Sequence, residues 1–210
     1  MNRLHLLNSG GLLAPDLAAE CAPLMDAALD RLAAQLEIDG VDVTLFVSPR
    51  TLPETGVVGY APDAYRVELA VTPENPNFVR SWQGELTATL AHELHHVRRW
   101  RGPGYGETLL EALVSEGLAQ QFEVAERGSP PPYARVTCDL DALWTRAQAN
   151  LDGPYDHAAW FFGSEAQGLP RWGGYALGFE LVGRFLSFIG GDALSHAETP
   201  AVIFRRAWSG

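Results

Sequence analysis

The segment Ala91-His92-Glu93-Leu94-His95-His96 constrains this 210-residue chain more than any other. It contains H-E-x-x-H, and on a helix residues four apart lie one turn apart on the same face. The imidazoles of His92 and His96 can therefore reach a single metal ion. Glu93 projects beside that position, where it can take a proton from water. The flanking residues supply the helix. Leu86, Leu90, Leu94 and Val97 form an apolar stripe, and at ~100° per residue the two histidines point roughly 140° away from its centre. A helix of this kind has a core face for packing on a sheet and a separate histidine face lining a cleft. The competing reading is a pair of solvent-facing histidines on an amphipathic helix. His95 falls on neither face and is expected to support the site from behind or to lie on the surface.

The sheet is legible upstream. Leu24, Ala28, Leu29, Leu32 and Leu36 keep helical spacing over 24–38, and Gly40 stops the run. The period then switches to two. Val41, Val43, Leu45 and Val47 alternate with Asp42, Thr44 and Phe46, and Pro49 ends the strand. Tyr65, Val67, Leu69 and Val71 alternate in the same way after a Gly-rich segment around Val57-Val58-Gly59-Tyr60. Beyond the Pro/Asn-rich loop at 73–77 the pattern predicts helices near 80–100, 107–126, 136–150, 174–189 and 199–208. Thr199-Pro200 reads as a helix start with proline at the first helical position. The fold class is thus α+β, a small N-terminal sheet packed on the histidine helix and then a mostly helical C-terminal part. One domain is expected over 1–210. Residues 1–127 would carry the sheet and the ligand-bearing helices, and 133–210 a helical subdomain, with Gly128 to Pro132 as the hinge.

Composition removes several function classes. With 26 acidic and 15 basic residues the net charge is −11, and the arginines are scattered, so no basic stripe suits nucleic acid. All fifteen basic residues are Arg, which excludes lysine nucleophiles, Schiff bases and P-loop chemistry. No apolar run approaches the ~20 residues of a membrane span. Cys21 and Cys138 stand far apart; a disulfide between them is open from sequence, but two thiols in such a chain more often mean a reducing compartment. The stretch Met1 to Leu13, broken by His5 and Asn8-Ser9-Gly10-Gly11, makes a poor signal peptide. The expected location is cytoplasmic.

A catalytic zinc site needs a third protein ligand and one position left open for water. The next helix offers Glu107, Glu111 and Glu116. Glu116 has Leu109, Ala112, Leu113 and Ala119 as helical neighbours, whereas Glu111 has Gly104, Glu107, Thr108, Ser115 and Leu118. A carboxylate on an apolar face is costly unless paired or bound to metal, which selects Glu116 over a structural acid paired with Arg. Gly117 beside it would let two helices approach closely.

His92-Glu93-x-x-His96 followed by Glu116 resembles the gluzincin metallopeptidases, whose third ligand is a Glu on a downstream helix. More narrowly, the chain is similar to a bacterial family of predicted Zn-dependent proteases (YjaZ-like). The matching blocks are His92 to His96, Glu107 to Ala119, Trp160-Phe161-Phe162-Gly163 and Trp172-Gly173-Gly174-Tyr175-Ala176-Leu177-Gly178, within roughly Val41 to Gly190. The resemblance implies Zn2+ held by His92, His96 and Glu116, a peptide or protein substrate, and hydrolysis with Glu93 as general base. One departure stands out. Gluzincins often carry, four residues after the ligand Glu, an Asp that orients a zinc-bound His. Here Gln120 occupies that place, with an amide oxygen that can accept the same N–H but brings no charge.

Oxyanion stabilisation calls for a further donor. The resemblance points to Tyr175, with His157 and Arg171 as other candidates. Zincin-like proteases pair an extended substrate with the strand bordering the cleft, and Tyr65 to Val71 is the expected edge. Trp160-Phe161-Phe162 is either core or the floor of an apolar pocket. Two other readings remain open from sequence. One is zinc-dependent hydrolysis of a non-peptide amide or ester. The other is a metal-stabilised binding or chaperone-like module in which Glu93 has no task. A structural zinc site would close with four ligands, and the cysteines lack that spacing.

Overall fold

A computed structural model of the chain describes residues 1–208. It divides into two compact units, Met1–Arg101 and Gly102–Gly210. No described helix is long and apolar enough to cross a membrane.

The first unit runs β1 (Arg3–Leu7), α1 (Pro15–Gln35), β2 (Asp42–Val47), β3 (Val57–Asp63), β4 (Arg66–Val71) and α2 (Pro76–Trp100). The sheet has the order β1-β2-β4-β3. β1 and β4 flank β2 in parallel, and β3 pairs antiparallel with β4. This corrects the expected edge. The Tyr65 to Val71 strand lies inside the sheet, and β3 is the outer strand. The reason is burial: β4 hides Val67, Leu69, Ala70 and Val71, apolar on both faces near its end, as an interior strand should. β3 instead carries Gly59 and an exposed Tyr60. β1 is a further departure, because the broken stretch Leu4-His5-Leu6-Leu7 pairs with β2, Leu4 opposite Val43 and Leu6 opposite Leu45. An edge strand tolerates His5, whose ring meets the Asp42 carboxylate at 2.6 Å.

α1 begins at Pro15 rather than near Leu24 and keeps Pro23 inside. The proline had hidden its first turns, since Pro reads as a helix start. α1 lies against β1 and α2, and α2 against β3 and β4. α2 is fixed at both ends. Asn75 caps it by accepting from the backbone N–H of Asn77 at 2.8 Å and of Phe78 at 3.4 Å, with Pro76 in the first turn. At the far end Trp100 Nε1 donates to the Ala61 carbonyl at 3.0 Å, and Arg101 donates twice to the Ala64 carbonyl. Leu86, Leu90, Leu94 and Val97 are fully buried, as their stripe predicts.

The second unit contains α3 (Leu109–Arg127), α4 (Leu140–Gln148), α5 (Gly173–Ile189) and α6 (Ala201–Phe204). 3-10 turns at Pro132–Ala134 and Arg205–Trp208 and a π-helical turn at Ala158–Phe162 complete it. The Gly128 to Pro132 stretch lies within this unit, where Gly128 ends α3 at φ +75°. Pro200 occupies the position before the short α6, so Thr199 does not cap it; the Thr199 hydroxyl meets His196 Nδ1 at 3.2 Å instead. The core gathers Leu113, Leu118, Leu177, Leu181, Phe185 and Phe204, and Trp144 stacks on Trp208 at 4.6 Å.

α3 and α5 cross almost backbone to backbone. A methyl at Gly117 would meet the Gly178 carbonyl oxygen at 2.1 Å, and one at Gly178 would meet the Leu113 carbonyl oxygen at 2.3 Å. The close approach foreseen at Gly117 is therefore made with α5. Gly117→Ala should destabilise the protein by about 1–3 kcal/mol, because overpacking outweighs the helix-propensity gain of at most about 1 kcal/mol. Urea unfolding against wild type measures it.

Candidate metal centre

Two turns of α2 hold an unusual density of buried polar groups. His92 and His96 are each 5% exposed and Glu93 is 7% exposed. His95 and Arg99 are buried with them, which overturns a surface position for His95. Solvation of bare imidazole and carboxylate is lost on burial, so such groups need partners or a metal. The histidine pair is arranged accordingly. The two Nε2 atoms approach to 3.1 Å, and the rings meet edge to face. A tetrahedral zinc with bonds of ~2.0–2.1 Å separates its ligand nitrogens by about 3.3 Å. The pair already has that spacing.

Glu93 lies against β3. A Cβ on Gly59 would meet Glu93 Oε1 at 2.4 Å and Cγ at 2.5 Å. The glycine is thus a seat for the carboxylate, and the ties at Trp100 and Arg101 set the register of α2 that brings them together. Glycine weakens a strand and often marks a close approach, which was the available sequence signal at position 59.

The three acids at the start of α3 separate by duty. Glu107 is exposed. Glu111 belongs to the helix cap: its Oε2 accepts from the Thr108 N–H at 2.9 Å and hydroxyl at 2.8 Å, while Thr108 Oγ1 accepts from the Glu111 N–H. Thr108-x-x-Glu111 is a capping-box spelling that the sequence carried openly. Glu116 is 5% exposed, and the Tyr105 hydroxyl donates to its Oε1 at 2.8 Å. Burial first, then the Glu116 charge, pushes the Tyr105 phenol well above its ordinary pKa, so it remains a protonated donor. Glu123, two turns further along, is satisfied by Arg127 at 2.8 Å and by the Tyr133 hydroxyl at 2.5 Å. It fills the role of a structural acid paired with Arg.

Among the described residues, His92, His96 and Glu116 form a buried group whose ligand atoms all lie within 4.8 Å of one another, a set able to hold a metal ion. Two imidazoles and a carboxylate are the donors of a catalytic zinc, with a fourth position left for water. The chain belongs to the family described as Predicted Zn-dependent protease (DUF2268), whose model matches residues 21–204. No curated protein and no solved structure matches it. Donor set and family agree on zinc as the metal.

The remaining candidates fall in the second unit. Tyr175, in the first turn of α5, packs among the rings of Phe161 at 5.0 Å, Tyr133 at 5.1 Å and Trp172 at 5.6 Å. An ionised Tyr175 would also add to the upward push on Tyr105. His157 stacks on Phe161 at 4.5 Å and lies 6.2 Å from the Tyr105 ring. Burial drives its pKa down against the raising influence of Glu116 and Asp156. Arg171 is exposed and lies over the Trp172 ring at 4.3 Å. Trp160 and Phe161 are core, while Phe162 is half exposed. Gln120 donates its amide to the carbonyls of Glu116 at 3.2 Å and Tyr175 at 3.0 Å. Its buried Oε1 has no hydrogen-bond partner among the described residues. Sequence reasoning passed over Tyr105, whose one signal was an aromatic set between glycines in Gly104-Tyr105-Gly106.

The capping role of Glu111 gives a direct test. Glu111→Ala should cost about 1 kcal/mol of stability through the lost cap and leave the zinc content of the purified protein unchanged. Thermal melts and elemental analysis together check it.

Proposed function

We propose that the chain is a gluzincin-type zinc metallopeptidase, with His92, His96 and Glu116 as metal ligands and Glu93 as general base. The observation that carries the reading is the buried histidine pair at metal-ligand spacing with an acid seated beside it. Zinc supplies Lewis acidity at such a site, polarising a carbonyl and drawing the pKa of water toward ~7. Glu93 has the position to accept a proton from the attacking water and return it to the leaving amine. Gly59 supports this by leaving the carboxylate room. A substrate paired with the outer edge of β3 would pass beside that glycine, with main-chain hydrogen bonds giving affinity.

Tyr175 is the proposed donor to the developing oxyanion, supported by its first-turn position on α5 and its nearness to Tyr105. The catalytic domain in this reading is the whole chain. Cytoplasmic residence belongs to the same reading and is supported by Cys21 and Cys138, both free thiols suited to a reducing compartment.

Cleavage of a mixed peptide library, read by mass spectrometry, tests the proposal. Wild type should cut peptides, and Glu93→Gln should lose about 10²–10⁴-fold in rate while retaining zinc. Equal cleavage by the two proteins would remove Glu93 from catalysis. An absence of cleavage at full zinc occupancy would sink the general-peptidase reading. Chelation should lower the melting temperature, because zinc binds the folded state and each hundredfold excess over Kd is worth about 2.7 kcal/mol.

A further inference from the structure

Tyr105 is held on α3 from two sides. Its carbonyl accepts the Ser115 hydroxyl at 2.7 Å, and its own hydroxyl donates to Glu116 Oε1 at 2.8 Å. Adjacent residues of one helix therefore grip the backbone and the tip of the same side chain. The glycines on either side make the approach possible. Gly104 and Gly106 have φ of +84° and +104°, conformations that side-chain-bearing residues rarely adopt. A Cβ on Gly106 would also fall 2.1 Å from Glu111 Cβ, so only glycine lets the loop come down on the first turn of α3.

Taking Glu116 as a zinc ligand, as proposed above, we propose that Tyr105 is a positioning residue that occupies Glu116 Oε1 and reserves Oε2 for the metal. A carboxylate on a flexible side chain can bind zinc through one oxygen or both. Bidentate binding fills the position that water needs in a catalytic site. A hydrogen bond to one oxygen makes the two inequivalent and fixes the rotamer, the task that partners of zinc ligands commonly perform. A merely structural Tyr105 would need only some acceptor for its buried hydroxyl, and its loss would lower folding stability without altering the metal site.

The test compares full-length wild type, Tyr105→Phe and Glu116→Gln. Zinc affinity is measured by competition with a chromophoric chelator, coordination by the visible absorption of the Co2+-substituted protein, and folding by apo-protein melts. Tyr105→Phe should bind zinc about 10–100-fold more weakly, with weaker cobalt bands as the coordination number rises. Wild-type zinc affinity together with an unchanged cobalt spectrum in Tyr105→Phe would overturn the proposal and leave a structural hydroxyl. Glu116→Gln with wild-type affinity would overturn the ligand assignment instead, so the two failures are distinguishable. Should the phenylalanine variant not fold, Ser115→Ala keeps the phenol but releases the Tyr105 carbonyl, loosening the loop that aims the hydroxyl at Glu116 Oε1. It should weaken zinc by about threefold or more, and an affinity equal to wild type would overturn the proposal.

Discussion

Two imidazoles and a carboxylate within five residues of α2 have to be taken out of water, and the structure of the first unit follows from that requirement. Each of the three side chains is nearly hidden, and ionisable groups in such surroundings are stable only with compensating partners. The histidines face each other at 3.1 Å, a distance that suits two ligands of one metal. The helix must also be held in register, since one residue of rotation would swing the pair by ~100°. Asn75 and Pro76 fix where it starts, and Trp100 and Arg101 anchor its last turn to carbonyls of Ala61 and Ala64. Between these ties, Gly59 on β3 leaves space for Glu93.

The second unit meets the same problem on α3, where Glu116, Gln120 and Glu123 recur along one face and are all buried. Each has its own solution. Glu123 takes Arg127 and Tyr133, Gln120 gives its amide to carbonyls on α3 and α5, and Glu116 takes the Tyr105 hydroxyl on one oxygen. Glu123 has a full counter-charge in Arg127. The contact of α3 with α5 through Gly117 and Gly178 places Gln120 next to the first turn of α5, the turn that carries Tyr175.

Much of the site was legible because it rests on helical periodicity. His92 and His96 share a face through their spacing alone, and Glu116 stood out from Glu111 by its apolar neighbours, a choice that the capping role of Glu111 explains. Features that depend on pairing between distant segments were not legible. Strand β4 looked like an edge because it precedes α2 in sequence, yet β3 takes the outside. His5 disguised β1, since an edge strand accepts a polar residue that an interior strand would reject. Tyr105 and Gly59 carry their meaning through contacts eleven and more than thirty residues away, at Glu116 and Glu93.

The sequence by itself determined the α+β class, the histidine pair one turn apart, the acid between them and which carboxylate of the next helix lies on an apolar face. These follow from local rules: periods of two and 3.6, and the cost of an acid on an apolar face. Tertiary structure alone decided which strand forms the edge, how deeply His95 is buried, and which hydroxyl meets Glu116 Oε1. Those outcomes depend on backbone pairing and van der Waals fit between residues far apart in the chain, and no local pattern encodes that fit.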